Sequence, residues 1–413
     1  MRVVITNVVA LNGGDGAILL GVIKTVRRAF PDADIVVLDS NAPISRRIYP
    51  EIRFEQLHPW PSKGGLTGRL LRRIARIIPG IVRLGRSAEA NAATYAAADL
   101  IISTGGTYLV EHYSLLSRFQ QIDLAVASGK PVVLFTQSLG PFVQRTNIHW
   151  LRRLAPHLDL ILLRDERSLT NLREIGAAGK RMLVVGDAAF ALADPAVLER
   201  GRQRRLSARP KIAISVRAWK HFRRGSPEQN SHRYRSAIAA TVTQLVVGAQ
   251  AEITFLSTCQ GIPEYWTDDS KEALEITSLL DPDVLEHVTV DESFRRAEKL
   301  IEELEEFDLV IATRMHMAIL ALCAATPVFP IAYEFKTAEL FHKLGLGHSV
   351  VDIEDASPES LPDQILEFIN NIPTFRDQLI DGLVTLHHSA IGASWELVEL
   401  VNGIVISAET KRR

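Results

Sequence analysis

Arg314 and His316 stand two residues apart, where an apolar run, DLVIAT, passes into a helical pattern, MHMAILALC. A guanidinium is a planar fork of N–H donors that matches a phosphate or carboxylate. An imidazole exchanges a proton near neutral pH. Lys336 follows the next apolar run, PVFPIAY, and adds a second permanent cation. Packing alone explains such a set poorly, because Arg and Lys are seldom buried without partners. The chemistry expected of it is capture of a small anion together with proton transfer.

Other run ends carry weaker signals. Arg217 closes KIAISVR and leads into the cation-rich stretch WKHFRRGSPEQNSHRYR, which is either a solvated insertion or a flap over an anion. Arg164 closes DLILLR beside Asp165, where a structural contact and a ligand role are equally open. Asp15 lies in Asn12-Gly13-Gly14-Asp15-Gly16, a glycine-rich turn ahead of a helix. There the backbone can approach a ligand and free N–H groups favour anions, or Asp15 simply caps the helix. Gly105 and Gly106 follow DLIIST, and Ser138 follows PVVLFTQ. Both loops are small and polar, suited to sugar hydroxyls or to ordinary turns.

The elements that would hold these residues are readable as an alternation. Continuous β-branched runs at 2–9, 34–40, 99–104, 131–137, 159–165 and 182–187 are separated by helical patterns such as 17–30, 115–128 and 168–175. The theme repeats at 211–217, 251–258, 287–293, 308–314 and 327–333. Apolar strands alternating with helices predict parallel sheets covered on both faces, with ligands beyond the carboxyl ends of the strands. The 413 residues suit two such Rossmann-like α/β domains with a cleft between them. The expected division is 1–200, a basic linker at 201–210, then 211–375, with a helix and tail at 376–413 returning to the first domain. Lys+Arg of 47 against Asp+Glu of 48 argues against a nucleic-acid binder. Cys259 and Cys323 are too few and too distant for a disulfide framework, and fit free thiols in a reducing cytosol. No stretch reads as a secretory signal or a membrane span: the longest apolar segment, 317–333, contains Pro327 and Pro330.

Taken together, the motifs resemble the polysaccharide pyruvyl transferase family, most closely its colanic-acid type. The resemblance is carried by Asn12-Gly13-Gly14-Asp15-Gly16-Ala17, DLIISTGG, KPVVLFTQSLGP, LLRDERS, LSTCQGIPEYWTDD, DLVIATRMH and ATPVFPIAYEFKTAELFHKLGL, over about residues 2–353. It implies a glycosyltransferase-B-like fold of two facing Rossmann-like domains. It also implies transfer of the enolpyruvyl carbons of phosphoenolpyruvate onto two hydroxyls of a sugar, as a cyclic ketal with release of phosphate. The family's Arg-x-His pair falls on Arg314 and His316 and its following lysine on Lys336; Arg164 resembles its arginine after the fifth strand. His316 would act as general acid or base, with Arg314, Lys336, Arg217 and Arg164 holding the donor. Asp15, Gly105, Gly106 and Ser138 would face the acceptor sugar. Cationic side chains can supply the charge such a reaction needs, so no cofactor and no metal is expected. The histidines lack ligand spacing, and Asp281-Pro-Asp283 follows no strand.

Two other readings share the fold. A nucleotide-sugar glycosyltransferase would commonly carry acidic residues in the second-domain helix, but 317–325 contains none. A non-catalytic saccharide-binding relative would be expected to lose Arg314 or His316. Between Pro61 and Ser87 lie Lys63, Arg69, Arg72, Arg73, Arg76, Arg83 and Arg86, with no Asp or Glu, interleaved with apolar residues at helical spacing. Such a segment is a packed helix with a basic outer face or a site for an anionic membrane surface. The latter would place a cytoplasmic enzyme peripherally at the inner face of the plasma membrane, near a lipid-linked oligosaccharide acceptor.

Overall fold

A computed structural model describes residues 1–58, 74, 83 and 85–410. The segment 63–86 therefore lies largely outside the described residues. Arg83 is within them, paired with the buried carboxylate of Asp123 at 2.6 Å.

The first sheet contains β1 (Arg2–Thr6), β2 (Asp34–Asp39), β3 (Phe54–Gln56), β4 (Leu100–Ser103), β5 (Gly106–Leu109), β6 (Val132–Leu139), β7 (Leu160–Leu163) and β8 (Met182–Val184). Its order is β3-β2-β1-β4-β6-β7-β8, with β5 added to β6, and every pairing is parallel. The second sheet contains β9 (Lys211–Ser215), β10 (Glu252–Phe255), β11 (Val288–Val290), β12 (Leu309–Ala312), β13 (Val328–Ala332) and β14 (Val351–Asp352). Its order, β11-β10-β9-β12-β13-β14, is again wholly parallel. Strands such as β4, β6 and β12 are buried along their whole length, which is why they read as unbroken apolar runs. β3, β5 and β14 escape a sequence reading because they span only two to four residues each.

The helices that bear on function are α1 (Gly13–Ala29), α2 (Glu166–Glu174), α3 (Met315–Cys323), α4 (Phe335–Lys343) and α5 (Leu361–Thr410). The chain divides into two compact units: Met1–Leu11, Ile18–Ala191 and His388–Arg413 in one, Asn12–Ala17 and Leu192–His387 in the other. The glycine-rich turn thus groups with the second unit. From His388 onward α5 groups with the first, where Arg181 pairs with Glu396 at 2.6 Å and Glu399 at 2.8 Å. The sequence puts the start of this helix near 375, but it begins at Leu361 and carries Pro373 inside it. Among the described residues no helix is long and apolar enough to cross a membrane.

Candidate active site

In a doubly wound sheet the ligand crevice opens where strand order reverses. In the second unit that point lies between β9 and β12, which pair Leu309 with Ile212 and Ala312 with Ser215. Arg217 follows β9 and Arg314 follows β12, so the two guanidinium-bearing residues flank the reversal. Arg314 occupies the N-cap position of α3 in an extended conformation, and His316 lies in the first turn. The rest of that helix is apolar and buried all round; His316 is its one half-buried residue.

Arg314 is held by a residue the sequence reading passed over. Asp269 accepts from Arg314 Nε at 2.8 Å and from Nη2 at 2.6 Å. Ser257 Oγ donates to the same carboxylate at 2.5 Å. Burial works against the guanidinium's charge, but the Asp269 carboxylate outweighs it and holds the Arg314 pKa well above the arginine value. The pair is nearly enclosed, at 10% and 1% side-chain exposure. Arg314 Nη1 is engaged by no protein acceptor among the described residues, so one side of the fork stays available to an anion.

Asn12–Asp15 builds the adjoining wall within the same unit. Asn12, not Asp15, caps α1: its Oδ1 accepts from the backbone N–H of Gly14 at 2.9 Å and of Asp15 at 3.3 Å. The helix therefore starts at Gly13 rather than Ala17. Asn12 Nδ2 also donates to the Tyr265 hydroxyl at 3.2 Å, and Gly13 N–H donates to Thr258 O at 3.0 Å. Gly14 lies directly on the His316 ring: a Cβ there would come within 2.7 Å of both His316 Cβ and Nδ1. Only glycine permits this approach. Burial pushes the Cys259 thiol up to about 11; Arg314 opposes the rise, and Asp269 and Asp15 add to it. Burial, then the charge of Asp15, raises Tyr265 as well. Asp15 thus acts electrostatically on the Arg314 side, in the second unit, rather than among the first-unit loops where the sequence reading grouped it.

The far wall is aromatic and cationic. Arg217 lies 4.4 Å over the Tyr333 ring and 5.1 Å over Trp219, and no carboxylate pairs with it among the described residues. Lys336 Nζ pairs with Glu334 at 2.6 Å and lies 5.8 Å from the Tyr333 ring centre. The structure therefore gathers Asp15, Arg217, Arg314, His316 and Lys336 in one unit, at the carboxyl edge of one sheet. Asp269, Ser257, Tyr265 and Tyr333 join them unannounced. The signal for Ser257, Tyr265 and Asp269 was a polar, acid-terminated loop after β10, whose link to Arg314 spans 45 residues, whereas Tyr333 follows β13.

The remaining candidates belong to the first unit. Arg164, after β7, donates from Nε to Ser138 Oγ at 2.6 Å, from Nη1 to Asp187 and from Nη2 to Thr107 Oγ1. Ser138 Oγ in turn donates to Asp165 at 2.6 Å, and Asp165 caps α2. Ser138 is fully buried, so its hydroxyl is spent within the unit. Arg164 bonds Asp187, not its neighbour Asp165. Gly105, between β4 and β5, and Gly106, which opens β5, are buried; a Cβ on Gly105 would meet Thr136 Oγ1 at 2.5 Å, and Gly106 has φ 131°.

The profile of a family described as polysaccharide pyruvyl transferase matches residues 12–334. The chain is 25% identical over 391 residues to the amylovoran biosynthesis protein AmsJ of Erwinia amylovora, covering 89% of this chain and 92% of that protein. Among solved structures it is similar to UDP-GlcNAc 2-epimerase from Neisseria meningitidis, at TM-score 0.61 and 12% identity over 98% of this chain and 100% of that one. It is also similar to a sucrose-phosphate synthase from Thermosynechococcus elongatus, at TM-score 0.57 and 13% identity over 98% and 100%. These two likenesses establish a glycosyltransferase-B-like fold of two Rossmann-like α/β domains. The profile covers β9 to β13 and the Asn12 turn, which carry Asp15, Arg217, Arg314 and His316, and ends two residues before Lys336. The chain belongs to the polysaccharide pyruvyl transferase family, and by that membership it is a transferase.

Proposed function

We propose that the protein transfers the enolpyruvyl group of phosphoenolpyruvate to two hydroxyls of a saccharide, forming a cyclic pyruvate ketal and releasing phosphate. The observation that carries this reading is the half-engaged guanidinium of Arg314, flanked by Arg217 and Lys336 and followed by His316. The donor bears a carboxylate and a phosphate, so it calls for more than one cation. Its C3 must gain a proton, and C2 then takes the first sugar oxygen. The C2–O bond to phosphate breaks, and the second sugar oxygen closes the ring. Of the two hydroxyl protons, one balances the proton gained at C3 and the other leaves with phosphate.

In this reading His316 moves the proton at C3 or at the attacking hydroxyl, a contribution of ~10²–10⁴-fold. Arg314 and Lys336 hold the donor's oxygens and offset charge on the departing phosphate, and Arg217, braced between two rings, reaches the carboxylate. We assign Arg164 and Ser138 to holding the loops of the first unit rather than to the donor. Asp15 would orient His316 or an incoming hydroxyl, and the Gly105 and Gly106 loop remains the acceptor candidate. The cations can supply the charge stabilisation without a cofactor or metal. The name of the AmsJ relative supports exopolysaccharide biosynthesis as the setting, with a lipid-linked precursor as acceptor. Docking at an anionic membrane through 63–86 would follow. It is tested by pelleting with phosphatidylglycerol vesicles, where neutralising Arg69, Arg72, Arg73 and Arg76 should abolish pelleting; unchanged pelleting removes the idea. The activity is tested by incubating the protein with ¹⁴C-phosphoenolpyruvate and candidate oligosaccharides. Saccharide-dependent phosphate release with label on the sugar supports it, whereas transfer from a nucleotide sugar instead would replace it.

A further inference from the structure

The basic stretch 200–210 is not a featureless connector. With α5 it lines a cavity of about 780 Å³ within the second unit, bearing Arg202, Arg204, Arg205 and Arg376 against a single carboxylate, Asp377. Arg202 is neutralised by Glu199 at 2.9 Å and Asp381 at 2.5 Å. The other three pair with no carboxylate among the described residues. Arg204 donates only to Thr326 Oγ1 at 3.1 Å and the Phe307 carbonyl at 2.6 Å. Arg376 is 8% exposed and makes one bond, to the Gly201 carbonyl at 3.1 Å. Burial, and then the like charge of Arg204, lowers its pKa, and the charges of Asp308 and Asp377 offset this only in part. A buried arginine ordinarily has an anionic partner, since desolvating its charge is costly. Here two guanidiniums instead hold most of their N–H groups unspent. Leu206, Ile372 and Pro373 add an apolar wall.

From these observations we infer that the cavity is a binding site for a diphosphate group, gripped by Arg204, Arg205 and Arg376. Several spare N–H donors on neighbouring forks suit an anion with more than one phosphate, and the apolar wall suits a hydrocarbon ester of it. The site is separate from the Arg314 cluster. Phe307 and Thr326 precede β12 and β13, whereas Arg314 and Lys336 follow the opposite ends of those parallel strands. Free diphosphate and a lipid-anchored diphosphate share this chemistry and are distinguished by the test.

Titration calorimetry with inorganic diphosphate and with farnesyl diphosphate, on the full chain carrying Arg314→Ala, separates this site from the other anion cluster. Binding should persist in that background and weaken at least tenfold with Arg376→Gln. Arg205→Glu, at an exposed position that cannot unfold the core, should weaken it likewise and keeps the test valid if Arg376→Gln misfolds. Farnesyl diphosphate binding at least tenfold tighter than the inorganic ion identifies a lipid source; equal affinity identifies a free one. Absence of binding by both ligands at millimolar concentration, or affinity unchanged by Arg205→Glu, overturns the inference.

Discussion

Each unit carries an arginine at the carboxyl end of a strand, enclosed and tied to an aspartate and, directly or through it, to a serine, yet the two are spent differently. Arg164 gives its Nε and both terminal nitrogens to Ser138, Asp187 and Thr107, and its side chain is 2% exposed. Arg314 gives one side of its fork to Asp269 and keeps Nη1 unengaged, at 10% exposure. One is a strut between loops; the other is a hook held rigid from behind. Burial and residue type are nearly the same, so the count of satisfied N–H groups decides the difference in role.

The sharpest contrast lies two residues further on, where α3 offers His316 and α2 offers Glu166. His316→Gln should cut turnover by ~10²–10⁴-fold while donor binding survives; steady-state kinetics with calorimetry checks this, and unchanged turnover would remove the proton-transfer role. Exchanging the two arginines for methionine comes next. Arg314→Met should lower kcat/KM by ~10²–10³-fold. Arg164→Met should leave turnover per folded molecule intact while costing about 3–5 kcal/mol of stability, because the buried Asp187 loses its guanidinium. Arg314→Met leaves Asp269 buried without its counter-ion as well, so both variants should melt earlier and turnover per folded molecule separates strut from hook; a catalytic loss in Arg164→Met would merge them. Gly14→Ala should reduce turnover by roughly 10–10²-fold, since displacing the His316 ring by a fraction of an ångström misplaces the proton. The smallest effect is chemical. Cys259, with its thiol raised to about 11 and buried, should resist iodoacetamide at pH 8 in the folded protein and react after denaturation, as read by mass spectrometry.

Much of the fold was legible because parallel strands buried on both faces must be continuously apolar. The eleven runs read from the sequence all became strands. What escaped was local brevity, as in β14 with two residues, or tertiary override, as at Pro373, where a helix continues through a residue that normally ends one. In the site, Arg314, His316 and Lys336 were visible because each follows an apolar run. Asp269 was not, because nothing in a sequence records that a carboxylate 45 residues upstream folds onto a guanidinium. The cap of α1 was misread for a related reason. Asn12 and Asp15 are both good capping residues, and the Asn12 carboxamide takes the position by also bonding Tyr265.

The most direct measurement is calorimetric titration of phosphoenolpyruvate into the unmodified protein, Arg314→Lys and Arg164→Lys. A single saturable site, weakened at least tenfold in Arg314→Lys and unaltered in folded Arg164→Lys, is the predicted result. Binding that survives Arg314→Lys, or that disappears only with Arg164, would contradict the assignment of the donor to the second unit's cationic edge.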